Sequence, residues 1–149
     1  MSAAELRLSY GSDDEWHGEL FAVVKSGAFS GEGVAWVDRQ HVKRAFVVPL
    51  RAFPLSARKP PMIEGGYWNG KGSLQQCRLR IAVRPYNSRG TLLVQADLAS
   101  PILTTPEDRQ QLVTARFLAE YAALDKFASN FEQVLDGRRD SAVLRGTTE

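Results

Sequence analysis

Residues 78–98 read Arg78-Leu79-Arg80-Ile81-Ala82-Val83-Arg84-Pro85-Tyr86-Asn87-Ser88-Arg89-Gly90-Thr91-Leu92-Leu93-Val94-Gln95-Ala96-Asp97-Leu98. Leu79, Ile81 and Val83 alternate with Arg78, Arg80 and Arg84, the period of a strand with one face in a core and the other in water. The six residues Pro85 to Gly90 are rich in turn formers, so the chain is expected to reverse there into a second strand, Thr91 to Leu98. Pairing Leu79 with Ala96 would set Ile81 opposite Val94, Val83 opposite Leu92 and, on the other face, Arg78 opposite Asp97. Such a hairpin implies an antiparallel sheet.

Upstream, Met62 to Trp68 reads as another strand, ended by the turn Asn69-Gly70-Lys71-Gly72. Pro54 to Pro61, with three prolines plus Arg58 and Lys59, reads as a loop. Before it, Asp38 stands as an N-cap, and Val42, Phe46, Leu50 and Phe53 share one helical face. Pro49 lacks an N–H and disfavours helix at Val48, so the helix is expected over 39–48 with a kink or break after it. Leu6 to Tyr10 alternates as a first strand, Gly11 to Asp14 turns, and Trp16 to Lys25 pairs through a turn at Gly27 with a strand running to Val37.

Downstream, Thr105-Pro106-Glu107-Asp108 has the form of a helix start, and Val113, Phe117, Tyr121, Leu124, Ala128, Phe131 and Leu135 make a helical stripe. Val113, Ala115, Phe117, Ala119 and Tyr121 also alternate as a strand would. Periodicity leaves 111–121 open between the two. Leu124 to Leu135 is helical on either reading, with Gly137 as its stop. The expectation is one α+β domain over 1–138, an antiparallel sheet of about five or six strands packed on helices at 39–48 and 123–136, with 139–149 a polar tail. Phe46, Leu79, Ile81, Val94, Phe127 and Phe131 are its expected core.

The 149 residues are 44% hydrophobic and 24% charged, and 19 basic against 17 acidic residues leave a net charge of +2. That composition excludes disorder as the dominant state and provides little long-range attraction for nucleic acid or anionic membrane. Residues 1–20 carry acids throughout and no apolar run of the export type. With Cys77 the sole cysteine, no internal disulfide forms, so a cytoplasmic setting is expected.

The order Trp16 to Leu20, Phe29-Ser30-Gly31, Ala35-Trp36-Val37, a helix with Phe46 and Leu50, strands at 79–83 and 92–94, and the ending Phe117 to Phe127 resembles small bacterial proteins similar in outline to immunity proteins that neutralise contact-dependent toxins of the WapI type. The likeness spans about residues 5–136 and rests on packing positions, so it implies a fold more than an activity. It implies a strand before the last helix, which favours strand for 111–121, while Thr105 to Asp108 departs from that pattern. A protein partner is the function it implies.

Chemistry-bearing residues are sparse. His17 and His41 stand 24 residues apart without a nucleophile motif, and with one cysteine they give no zinc spacing. No catalytic residue, metal ligand or cofactor is assigned. Asp13-Asp14-Glu15 reads as a solvated turn, Gly31-x-Gly33 and Gly65-Gly66 as turns or strand bulges, and Cys77 as an inward, inert thiol. Arg78, Arg80 and Arg84 on one face, with Tyr67 and Trp68 nearby, form the candidate partner-binding set. The competing reading pairs Arg78 with Asp97 and leaves the rest in solvent. A non-catalytic protein-interaction module, of the toxin-immunity kind, heads the functional readings. A ligand-binding domain walled by Trp16, Trp36, Tyr67 and Trp68 comes next, then an enzyme. The partner is expected to be a protein, another copy of the chain being the alternative, with nucleic acid and membrane disfavoured.

Overall fold

A computed structural model describes residues 4–68, 74–100 and 109–147, with the side chains of Tyr67, Trp68 and Gln75 outside the description. The 69–72 turn and the Thr105 to Asp108 helix start lie outside the described residues. The chain is α+β, with two antiparallel sheets of four strands each. Strands β1 (Glu5–Ser12), β2 (His17–Ser26) and β3 (Phe29–Asp38) form a meander, and β8 (Ala142–Arg145) joins the β1 edge, in the order β3-β2-β1-β8. The second sheet is the meander β4 (Met62–Trp68), β5 (Leu74–Pro85), β6 (Thr91–Ala99) and β7 (Leu112–Glu120).

A single sheet of five or six strands is therefore corrected to two sheets. Alternation marks a strand and its faces, but says nothing about which edge the strand joins. Here the helical segment after β3 and the loop to Pro61 carry the chain into a new layer. The residues read as a polar tail contain β8, whose Ala142 and Leu144 are buried opposite Leu8 and Leu6. Its two inward positions are too few to stand out among Arg138, Arg139, Asp140 and Arg145.

The central hairpin forms with its inward face as expected: Leu79, Ile81, Val83, Leu92, Val94 and Ala96 are buried. Its register differs by two residues, Leu79 facing Leu98, Ile81 facing Ala96, Val83 facing Val94 and Arg80 facing Asp97. A two-residue shift leaves every side chain on its own face, so hydrophobicity cannot choose between the registers. The turn chooses. Asn87 Oδ1 accepts hydrogen bonds from the Arg89 and Thr91 amides at 2.9 and 3.2 Å, and Tyr86 N–H donates to the Thr91 carbonyl.

The open segment 111–121 is resolved as β7, with Ala115, Phe117 and Ala119 buried and Thr114, Arg116 and Glu120 exposed. Helix α3 (Tyr121–Leu135) follows without a break. Gly137, at φ 75°, ends it: Gly137 N–H donates to Val134 and Arg138 N–H to Gln133, the paired bonds of a Schellman stop.

Asp38 caps the earlier helical segment, its carboxylate accepting from the His41 amide at 3.1 Å. The segment runs through α1 (Arg39–Val42), a π-helical stretch Lys43–Val47 and α2 (Val48–Leu50). Of the kink or break expected at Val48, the break does not occur, and the helical segment continues to Leu50. Proline offers no N–H to the carbonyl four residues back and crowds it. The backbone instead widens to a π turn, Val48 N–H reaching the Lys43 carbonyl.

The inner faces of both sheets enclose one core together with Phe46, Phe127 and Phe131, all essentially inaccessible. Phe46 meets Phe127 and Phe131 edge to face at 6.4 and 5.9 Å. The sheets come closest at β3. A Cβ on Gly65 would sit 2.8 Å from the Ala35 Cβ, and one on Gly33 3.1 Å from the Arg78 carbonyl oxygen. A side chain at either position would force its neighbour to shift.

Two stability outcomes follow from this packing. Phe127→Ala should lower unfolding free energy by about 3–5 kcal/mol in chemical denaturation, through lost burial and a cavity. Gly65→Ala forces a methyl group against Ala35 and should cost about 1–3 kcal/mol in the same measurement; an unchanged midpoint would contradict the close approach of the sheets.

Candidate functional site

Two hollows lie along the seam where β3 meets the second sheet, and Trp36 lines both. Their construction starts in the β1–β2 turn. Asp14 Oδ1 accepts from the Trp16 and His17 amides at 2.7 and 2.8 Å. These two backbone donors hold the Asp14 carboxyl below the usual carboxylate range. The neighbouring Asp13 Oδ2 accepts from Trp36 Nε1 at 3.0 Å. His17 stacks on the Trp36 ring, centroids 4.4 Å apart and planes 14° off parallel. The acidic run is thus the clamp that orients Trp36 and His17.

The first hollow is a groove of about 530 Å³ at the edge of β3, where Glu19, Phe21, Glu32, Val34 and Trp36 of the first sheet meet Gly66, Arg78 and Ala99 of the second. Phe21 stands directly opposite Val34, and Glu19 opposite Trp36. The exposures of Phe21, Val34 and Trp36 are 39%, 36% and 49%, so three large apolar side chains adjoin one another in water. Glu19 and Glu32 have no ion-pair partner among the described residues.

The second hollow is a trough between the helical segment and β4, in two adjoining parts of about 390 and 560 Å³ that share His41, Arg44, Met62 and Glu64. Val42 and Ile63 are buried beneath it, and Ala45, Pro49, Pro60 and Met62 add apolar wall. Lys59 stands at one end and Trp36 with His17 at the other. Glu64 is already engaged, its Oε2 accepting from Arg80 Nε and Nη2 at 3.0 and 2.9 Å. Asp38 is engaged as the helix cap. The side chains of His41, Arg44 and Lys59 make no hydrogen bond or ion pair among the described residues. The trough is therefore a cationic channel with an apolar floor.

Of the residues singled out from sequence, Arg78, Arg80 and Arg84 do not form one row. The β4–β5 register slips at Gly65–Gly66, Gly65 facing Leu79 and Gly66 facing Cys77. Arg78 is the extra residue, and it turns into the groove, where Nε donates to Gln76 Oε1 at 2.7 Å. Arg80 is paired with Glu64, in place of the expected Arg78–Asp97 pair. Arg84 is exposed opposite Leu93. Tyr67 and Trp68 pair with Gln76 and Leu74 in β4; their side chains lie outside the description. The same slip alters Cys77, expected to point inward. It is half-buried, its thiol donating to the Leu79 carbonyl at 3.6 Å.

Sequence reasoning missed that Trp36, His41, Arg44 and Lys59 line one trough. The three-residue step from His41 to Arg44 on a helix was the one legible signal; Lys59 and Trp36 come from separate elements. Among the described residues no group of three or more His, Cys, Asp or Glu side chains is placed to hold a metal ion. No helix among them is long and apolar enough to cross a membrane. In comparisons with known proteins, no family model, curated protein or solved structure matches the chain.

Cys77 gives a direct check on the bulge. Burial, the largest influence, raises its pKa, which keeps the thiol protonated at neutral pH, and the thiolate is the reactive form. Iodoacetamide at pH 7.5 should modify the native protein at least about tenfold more slowly than the same chain in guanidinium. Equal rates, followed by mass spectrometry, would show Cys77 fully open.

Proposed function

We propose that the chain is a non-catalytic binding protein that captures a protein partner on the outer face of β2 and β3, with Trp36 at its centre. The carrying observation is the adjoining exposure of Phe21, Val34 and Trp36. Adjoining exposed apolar side chains rimmed by polar residues are the form a protein docking surface takes. Trp36 has the character of an anchor, because stacking on His17 and the bond to Asp13 hold the ring in place before binding. Unpaired Glu19 and Glu32 flank the patch, so the partner surface facing them is basic. The resemblance to toxin-immunity proteins supports the same class of function, with a toxin as the partner.

The test is a photo-crosslinking amino acid at position 34, introduced in the source cell, with the adduct identified by mass spectrometry and the partner then purified. Trp36→Ala with Phe21→Ala should weaken that partner about 100-fold or more in calorimetry. Its circular dichroism should match that of the unchanged protein, since neither side chain belongs to the buried core. A partner bound equally well by the double variant would reject this face, and steady-state turnover of a substrate by the purified protein would overturn the non-catalytic reading.

A further inference from the structure

The trough beside the proposed docking face has a charge character opposite to that face. Two cationic side chains, Arg44 and Lys59, and the imidazole of His41 line it without partners among the described residues, while its two acids are held by Arg80 and by the helix cap. Coulomb interaction and the hydrogen-bond donors left unmatched both call for carboxylates. The floor, Val42, Ile63, Met62 and the two prolines, calls for apolar side chains between them.

A second feature marks the same place. Arg44 and Ala45 lie within the π-helical stretch Lys43–Val47, and single π turns inside helices are frequent at functional sites.

We infer that the trough receives an acidic, partly apolar segment of the protein partner. Its carboxylates meet His41, Arg44 and Lys59, and its apolar side chains lie on Met62, Ala45, Pro49 and Pro60. The inference rests on the proposed function, because Trp36 is shared by the two hollows and a partner seated on it reaches the trough directly. An extended segment fits better than an enclosed small molecule. His41, Arg44 and Lys59 are all exposed, whereas small-molecule pockets cover most of their ligand's surface. The partner is thereby bipolar, acidic toward the trough and basic toward Glu19 and Glu32.

The full chain, labelled with nitrogen-15, is titrated with a synthetic capped peptide of alternating Glu and Leu and followed by amide chemical shifts. Shifts should gather at His41, Arg44, Ala45, Lys59 and Met62 and weaken with salt. Arg44→Glu with Lys59→Glu should reduce affinity about tenfold or more, its own spectrum confirming that it is folded. The same peptide with Lys in place of Glu should produce no such shifts. Equal binding by the double variant, shifts scattered elsewhere, or no shifts at millimolar peptide would overturn the inference. So would citrate producing the same shifts with equal affinity, which would make the trough a site for small anions. Any of these with crosslinking at position 34 intact removes the trough alone; failure of that capture removes the docking face.

Discussion

The close approach of β3 to the second sheet is the constraint on which the other features depend. Side chains normally hold packed sheets about 10 Å apart. At Gly33 and Gly65 there are none, so Gly33 lies close to the Arg78 carbonyl of β5 and Gly65 of β4 close to the Ala35 methyl of β3. That contact closes the core at its edge, so Ala35 and Val37 are buried though β3 is the last strand of its sheet. It also creates the two hollows, since wherever the strands cannot stay this close, a groove or trough opens beside the seam.

The outer faces of the two sheets differ in how far their side chains are engaged within the chain. On the β4-β5-β6-β7 face, polar groups satisfy one another across strands: Arg80 with Glu64, Thr114 with Asp97, Gln95 with Asp97, and Arg116 with Gln95. Such exposed pairs contribute little stability each, but they leave few groups seeking a partner. The opposite face presents Phe21, Val34 and Trp36, which have nothing to cover them within the described chain. Arginine on the first face was the most conspicuous chemistry in the sequence. Its guanidinium at position 80 is nevertheless engaged internally.

Pro49 illustrates how one residue links backbone rules to the surface. Its missing N–H could have ended the helix, and instead the chain accommodates it with a wider turn that keeps Phe46, Val47 and Leu50 buried. The accommodation falls where Arg44 and Ala45 meet the trough. Burial of the apolar face stabilises the segment more than the irregular hydrogen bonding costs.

By itself the sequence determined the α+β class, the faces of the strands apart from Arg78 and Cys77 at the bulge, the helix cap at Asp38, the helix stop at Gly137 and the core residues from Phe46 to Phe131. All of these follow from local rules, alternation, capping and turn chemistry, that act over a few residues. The register of the central hairpin was not legible, because a two-residue shift preserves every face and only the Asn87 turn distinguishes the alternatives. The division into two sheets, β8 in the apparent tail, and the bulge that parts Arg78 from Arg80 were decided by pairing between distant strands. The same holds for the site. Trp36, His41, Arg44 and Lys59 become neighbours only because the β3 backbone can press against the second sheet, and a contact between strands far apart in the chain leaves no periodic trace along it.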